Sequence, residues 1–169
     1  ISAWSNDKFL DKAKVTINGK ITRAALILLG KEESEHFLSP YVACIRWSLR
    51  SVGTMQNKDY EILPIPLLLS VDRLYNKVRN VKYRLVRPDS LFPDEMLRYD
   101  MFNIREPLNN AIAHQDYTKC ARIEVVEYED SHIIFQNYGE FLPQSVENVV
   151  TKDCPESVYR NRFLVEAMR

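Results

Sequence analysis

The chain has 169 residues, 46% of them hydrophobic and 27% charged, with 23 Lys and Arg balancing 23 Asp and Glu. That length holds one ordinary domain or two small packed units, and the composition excludes a disordered tail. A balanced charge excludes any global attraction to nucleic acid or to an acidic membrane, leaving only local patches to consider.

Cys44, Cys120 and Cys154 are far apart and odd in number, and they lack CxxC spacing. A disulfide framework or zinc site is not expected, and a reducing cytoplasm is the simpler setting. The apolar runs at 24–30 and 62–69 are too short to span a bilayer, and no signal-peptide pattern opens the chain. Only four glycines are present, and neither GxxxxGK[ST] nor GxGxxG occurs, which excludes P-loop and Rossmann sites.

In chain order, Asn6 or Asp7 is placed to cap a helix running to about Ala13. Asn18-Gly19 signals a turn. Residues 21–29 form a buried helix with Gly30 as its C-cap. A charged loop comes next at 32–36, then a strand at 41–49. The polar stretch 51–58 is the best boundary, dividing an α/β segment at 1–58 from a second unit at 59–169. Leu67, Leu68, Val71, Leu74, Tyr75 and Val78 recur at helical spacing behind Pro66. Residues 81–86 form a strand ended by Arg87-Pro88, and 92–100 lead into a long helix. Strands at 121–128 and 132–137 are joined by a turn at 129–131. Short helices at 146–150 and from 162 complete the pass. Interspersed helices and strands predict an α+β, two-layer α/β sandwich with helices on one face of a mostly antiparallel sheet.

The long helix carries the functional signal. Ile104, Leu108, Ala111 and Ile112 form an apolar stripe, while Glu106, Asn110 and His114, four residues apart, form a polar stripe roughly opposite. Carboxylate, amide and imidazole in line suit a magnesium–phosphate site. The same residues fit a solvated face, with Asn103 as N-cap and Glu106 as its N3 partner.

The string Glu106-x-x-x-Asn110-x-x-x-His114 resembles the N-box of GHKL (gyrase, chaperone, histidine kinase-like, MutL) ATPases. More narrowly, Arg105-Glu106-Pro107-Leu108-Asn109-Asn110-Ala111-Ile112-Ala113-His114-Gln115-Asp116-Tyr117 is similar to the "REALxNAxxHRDY" segment of RecG-related transcriptional regulators. In that family a Schlafen/AlbA-type domain precedes a GHKL-like domain. Asn137-Tyr138-Gly139-Glu140-Phe141-Leu142-Pro143 resembles its "NPGGLP", and Arg160-Asn161-Arg162-Phe163-Leu164 its "RNPxLA". Lys20 to Lys31 is similar to the stretch after the Schlafen/AlbA-type domain.

The resemblance implies ATP and Mg²⁺ as ligands of the complete protein. It casts Glu106 as the catalytic group that orients or deprotonates water. Asn110 becomes the Mg²⁺ ligand, and His114 a neighbour of the phosphates. Asn137 stands where active members carry the Asp that accepts from the adenine amino group, and Gly139 keeps backbone close to the base. Tyr138, Gln115 and Arg162 depart from the family pattern. The glycine-rich lid falls beyond Arg169, so the expectation is a GHKL-like domain incomplete at its C-terminus that folds without hydrolysing ATP. DNA contact is expected through domains outside this chain. The alternative is an inert GHKL-like oligomerisation or signal-relay module, which the Asn at the adenine position and the few glycines favour.

Six basic residues lie between 73 and 87 (Arg73, Lys77, Arg79, Lys82, Arg84, Arg87) with Tyr75 and Tyr83 among them. A nucleic-acid or phosphate patch would use them, but a solvated helix face and a charge-protected strand edge is the expected reading. His36 and His132 have no metal partner at useful spacing, and Trp4 and Trp47 are expected as core or interface aromatics.

Overall fold

In the computed structural model, residues 4–89, 91–143, 145–151 and 158–168 are described. Helix α1 (Asn6–Lys12) is capped by Ser5, whose hydroxyl accepts from the Lys8 amide, rather than by Asn6 or Asp7. The hairpin of β1 (Thr16–Ile17) and β2 (Lys20–Ile21) turns on Asn18 and Gly19, both at positive φ as a tight primed turn requires.

Helix α2 (Arg23–Leu29) starts behind Thr22, whose Oγ1 accepts from the Ala25 amide at 3.2 Å. Gly30 ends it, but not in the left-handed conformation expected of a C-cap glycine: its φ is −63° and ψ 145°. A Cβ there would lie 2.4 Å from the Leu26 carbonyl oxygen, so close packing demands the glycine. The expected charged loop is a 3₁₀ helix, Glu32–Leu38, pinned by the buried Leu38.

Strand β3 (Ile45–Arg50) pairs antiparallel with β4 (Asn57–Leu63), which the sequence pattern does not reveal. The boundary expected after residue 58 falls inside β4. Residues on both sides of it share one core, from Ile27 and Trp47 to Leu108 and Leu164. A 3₁₀ turn, Leu67–Leu69, enters α3 (Ser70–Lys77). Strands β5 (Lys82–Leu85) and β6 (Asp94–Leu97) form a separate hairpin exposed along both strands, so the expected lead-in to the long helix is partly strand.

Helix α4 (Met101–His114) is capped by Asp100, whose Oδ1 accepts from the Asn103 amide at 2.8 Å. This removes Asn103 as N-cap and Glu106 as its capping partner. Pro107 therefore lies within the helix, where it cannot donate to the Asn103 carbonyl. A 3₁₀ turn (Tyr117–Lys119) leads to β7 (Ile123–Tyr128), then to β8 (Ile133–Gln136), α5 (Val146–Val150) and α6 (Arg162–Met168).

The main sheet has the order β4-β3-β7-β8, with β3 and β7 parallel and the other neighbours antiparallel. The protein is thus α+β with three sheets among the described residues. Ile45, Trp47 and Leu49 alternate onto the same face as Ile123 and Val125, and α4 buries Ile104, Leu108 and Ile112 in the same core. Glu127 lies in that row: its carboxylate accepts from Trp47 Nε1 and the Arg79 amide, both at 3.0 Å. Burial raises its pKa against those two donors.

Cys44 and Cys120 are free thiols, one buried and one exposed, and Cys154 lies outside the described residues. Trp47 is core as expected, whereas Trp4 is 40% exposed. No helix among the described residues is long and apolar enough to cross a membrane.

A cleft at the C-terminal end of helix α4

Helix α4 divides its faces as its sequence spacing requires. Ile104, Leu108, Ala111 and Ile112 are buried, Glu106 and Asn110 are exposed, and His114 is half-buried at the last turn. The Asn110 side-chain amide donates to Glu106 Oε1 at 3.3 Å across one helical turn. That bond leaves Asn110 Oδ1 without a protein donor among the described residues.

A buried amide, that of Gln115, organises the chain leaving the helix. Gln115 is 1% exposed; its Nε2 donates to the Ala121 carbonyl at 2.7 Å, and its Oε1 accepts from the Tyr138 amide at 2.8 Å. The Asp116 amide donates back to the Tyr138 carbonyl. Chain beyond β8 is thereby tied against the end of α4, and Asn137 and Gly139 come beside His114. Gly139 has φ 156°, and a Cβ on it would lie 3.1 Å from the His114 carbonyl oxygen and 3.4 Å from Arg160 Nε. A side chain there would press on the His114 carbonyl from a backbone conformation that L residues rarely adopt, which favours glycine.

A second tie comes from the segment before α6. Asn161 Nδ2 donates to the carbonyls of Ala113 and Gln115, and its own amide donates to Ala113. Arg160 reaches Asp116 Oδ2 at 3.5 Å and donates to the Glu140 carbonyl. Tyr159 sets its ring 5.5 Å from that of His114, centroid to centroid.

Pro107, Asn110, His114, Phe135, Asn137 and Gly139 thus help line one cleft of about 480 Å³. Glu106 faces an adjoining cleft of about 230 Å³, which Asn110 also borders. Four of the five residues singled out in the sequence share a cleft, and the fifth is hydrogen-bonded to one of the four. Nothing in the spacing of Gln115, Asp116, Arg160 or Asn161 marks them for a role. They belong to the two motif strings, and their pairing spans up to 48 residues.

Burial, reinforced by the Arg160 charge, holds the His114 pKa below its ordinary 6.5, so the ring is neutral near pH 7. Burial likewise raises the phenol pKa of Tyr117, whose hydroxyl donates to the Ile112 carbonyl. Among the described residues no group of three or more His, Cys, Asp or Glu could hold a metal. A Mg²⁺ ion here would rely on Asn110 Oδ1, the Glu106 carboxylate, water and ligand oxygens, a donor set that suits a hard cation sharing its shell with phosphate.

The basic stretch at 73–87 is largely neutralised. Lys77 pairs with Asp59 and Glu61, Arg79 with Glu129, Lys82 and Arg84 with Glu95, and Arg87 with Asp94. Such surface pairs contribute little stability, but they leave no bare cationic stripe among the described residues.

No family model and no curated protein matches the chain. Among solved structures, the DIP2311 protein from Corynebacterium diphtheriae superposes with a TM-score of 0.69 at 19% identity, over 99% of this chain. The chain spans 33% of that protein's length. At this identity the likeness establishes shared fold alone.

Proposed function

We propose that the α4 cleft binds an adenine nucleotide with Mg²⁺, and that the chain is the two-layer, GHKL-like nucleotide-binding part of a RecG-related transcriptional regulator. The supporting observation is the convergence of Asn110, His114, Asn137 and Gly139 on one cleft from two segments separated by β7 and β8. In this reading Asn110 Oδ1 ligates the cation and Glu106 orients a water beside it. The neutral His114 ring donates one hydrogen bond to a phosphate oxygen. Asn137 accepts from the exocyclic amine of the base, and Gly139 lets backbone pass beneath it. Contact with DNA belongs to other domains of a longer protein. The deciding experiment is calorimetric titration with Mg²⁺ and ATP of the chain extended beyond Arg169. Absence of binding at millimolar nucleotide overturns the reading.

A second reading, an inert relay or oligomerisation module, is favoured by the Glu106–Asn110 hydrogen bond, which ties one carboxylate oxygen of Glu106 to the helix face instead of leaving it for water. The exposed apolar side chains of the β5–β6 hairpin, Tyr83, Leu85 and Met96, point the same way. Sedimentation at high concentration tests it, and a strict monomer counts against it.

A further inference from the structure

A third cleft, of about 370 Å³, opens beside the N-terminus of α2 and the start of α6. Its floor is apolar, with Ile27, Leu38, Ala43 and Leu164 all buried, and no acidic side chain lines it among the described residues. Three arginines stand around it. Arg160 is held by Asp116, and Arg162 pairs with Glu166 at 2.7 Å. Arg23 differs: among the described residues it has no carboxylate partner, and its guanidinium lies over the Tyr41 ring, 4.6 Å from the centroid. A stacked guanidinium keeps its N–H edge available for a planar acid.

We propose that this cleft binds a small amphipathic organic monoanion. Its aromatic or branched apolar body lies on the floor formed by Ile27, Leu38 and Leu164, and its carboxylate meets Arg23. The volume falls within the range of small-molecule sites, and an apolar floor with a few polar groups at its edge is the pattern such sites show. A single unpaired guanidinium matches one negative charge. A di- or triphosphate would leave charge uncompensated over apolar surface, at a desolvation cost this lining does not offset. The inference does not rest on the nucleotide reading, because this cleft shares no lining residue with either cleft beside α4.

The test uses 1-naphthoate and its neutral counterpart 1-naphthamide, with binding measured by calorimetry or by ligand-observed NMR. Naphthoate is expected to bind about fivefold more tightly than the amide, the effect of one charge-assisted contact at a partly exposed site. Arg23→Gln should abolish that preference while leaving weak binding of both, since Arg23 is exposed and its loss spares the core. Ala24→Phe, which projects into the cleft, should remove binding of both, with circular dichroism confirming an unchanged fold. Equal affinity for acid and amide overturns the proposal. So does naphthoate binding undiminished in Arg23→Gln, or no binding of either compound at millimolar concentration.

Discussion

The Asn161 side-chain amide donates to two carbonyl oxygens at once, Ala113 at 3.0 Å and Gln115 at 2.7 Å, and so closes the C-terminal end of α4 from a point 46 residues beyond Gln115. The last carbonyls of a helix have no partner within it. Here a distant amide supplies one and fixes the segment carrying Arg160 and Tyr159 over His114.

Asn161→Ala should therefore destabilise the fold by about 1–3 kcal/mol, because the Gln115 carbonyl loses its donor and the Ala113 carbonyl keeps only the Asn161 backbone amide. Thermal unfolding is the measurement, with a fall of several degrees expected. Asn161→Asp should fare no better, since a carboxylate cannot donate to a carbonyl. An unchanged melting temperature in both variants would show that the clamp is dispensable.

Gly139→Ala should cost about 1–3 kcal/mol, because an alanine there combines positive φ with a Cβ pressed against the His114 carbonyl. The strain lies on the wall of the cleft. Amide chemical shifts of Asn137, Tyr138 and Gln115 should move, while those of β3 and β4 stay still. A uniform loss of stability without that local pattern would contradict the placement.

The titration of His114 gives a pH signature. Its folded pKa is depressed, so the unfolded chain takes up the proton more readily. The stability associated with the neutral ring is complete above about pH 6.5 and is lost as pH falls toward the folded value. Between about pH 7 and 5 the wild type should lose stability relative to His114→Gln. Acidic groups with lowered pKa, such as Asp116 and Glu129, act in a lower window. Parallel curves for wild type and variant across that range would refute the assignment.

Asn110→Ala should abolish any magnesium dependence of nucleotide binding and leave the fold intact, because the residue is exposed and its side chain bonds to Glu106 alone among the described residues. Steady-state ATP hydrolysis is expected to be undetectable in this chain. Both clefts flanking Glu106 and Asn110 open to solvent, and water screens charged contacts to phosphate. Turnover that disappears in Glu106→Ala would prove this wrong.

Periodicity alone determined much of the architecture. The apolar stripe Ile104, Leu108, Ala111 and Ile112 is a local pattern that burial follows, and the strands at 121–128 and 132–137 are legible locally too, although β8 buries none of its four residues. The Asn18-Gly19 turn is local in the same sense, because its two residues tolerate positive φ. Local pattern could not give β4, whose residues 58–62 are exposed and mostly charged or aromatic, or β6, which buries nothing. Those strands exist because a neighbour supplies the hydrogen-bond ladder, and that is a property of pairing.

The same division runs through the candidate site. Spacing put Glu106, Asn110 and His114 on one outward face of a helix, because the helical repeat fixes that geometry wherever the helix is placed. It did not put Asn137 and Gly139 beside them. That was decided by Gln115, Asp116, Arg160 and Asn161, whose hydrogen bonds and ion pair join stretches more than twenty residues apart. Gly30 stands where sequence position predicts a left-handed cap, yet it is required instead by Ile65 and the Leu26 carbonyl pressing on the space a side chain would take. Helix faces and turns are short-range consequences of backbone geometry. Which loop closes over which helix end depends on contacts whose partners only the folded chain brings within reach.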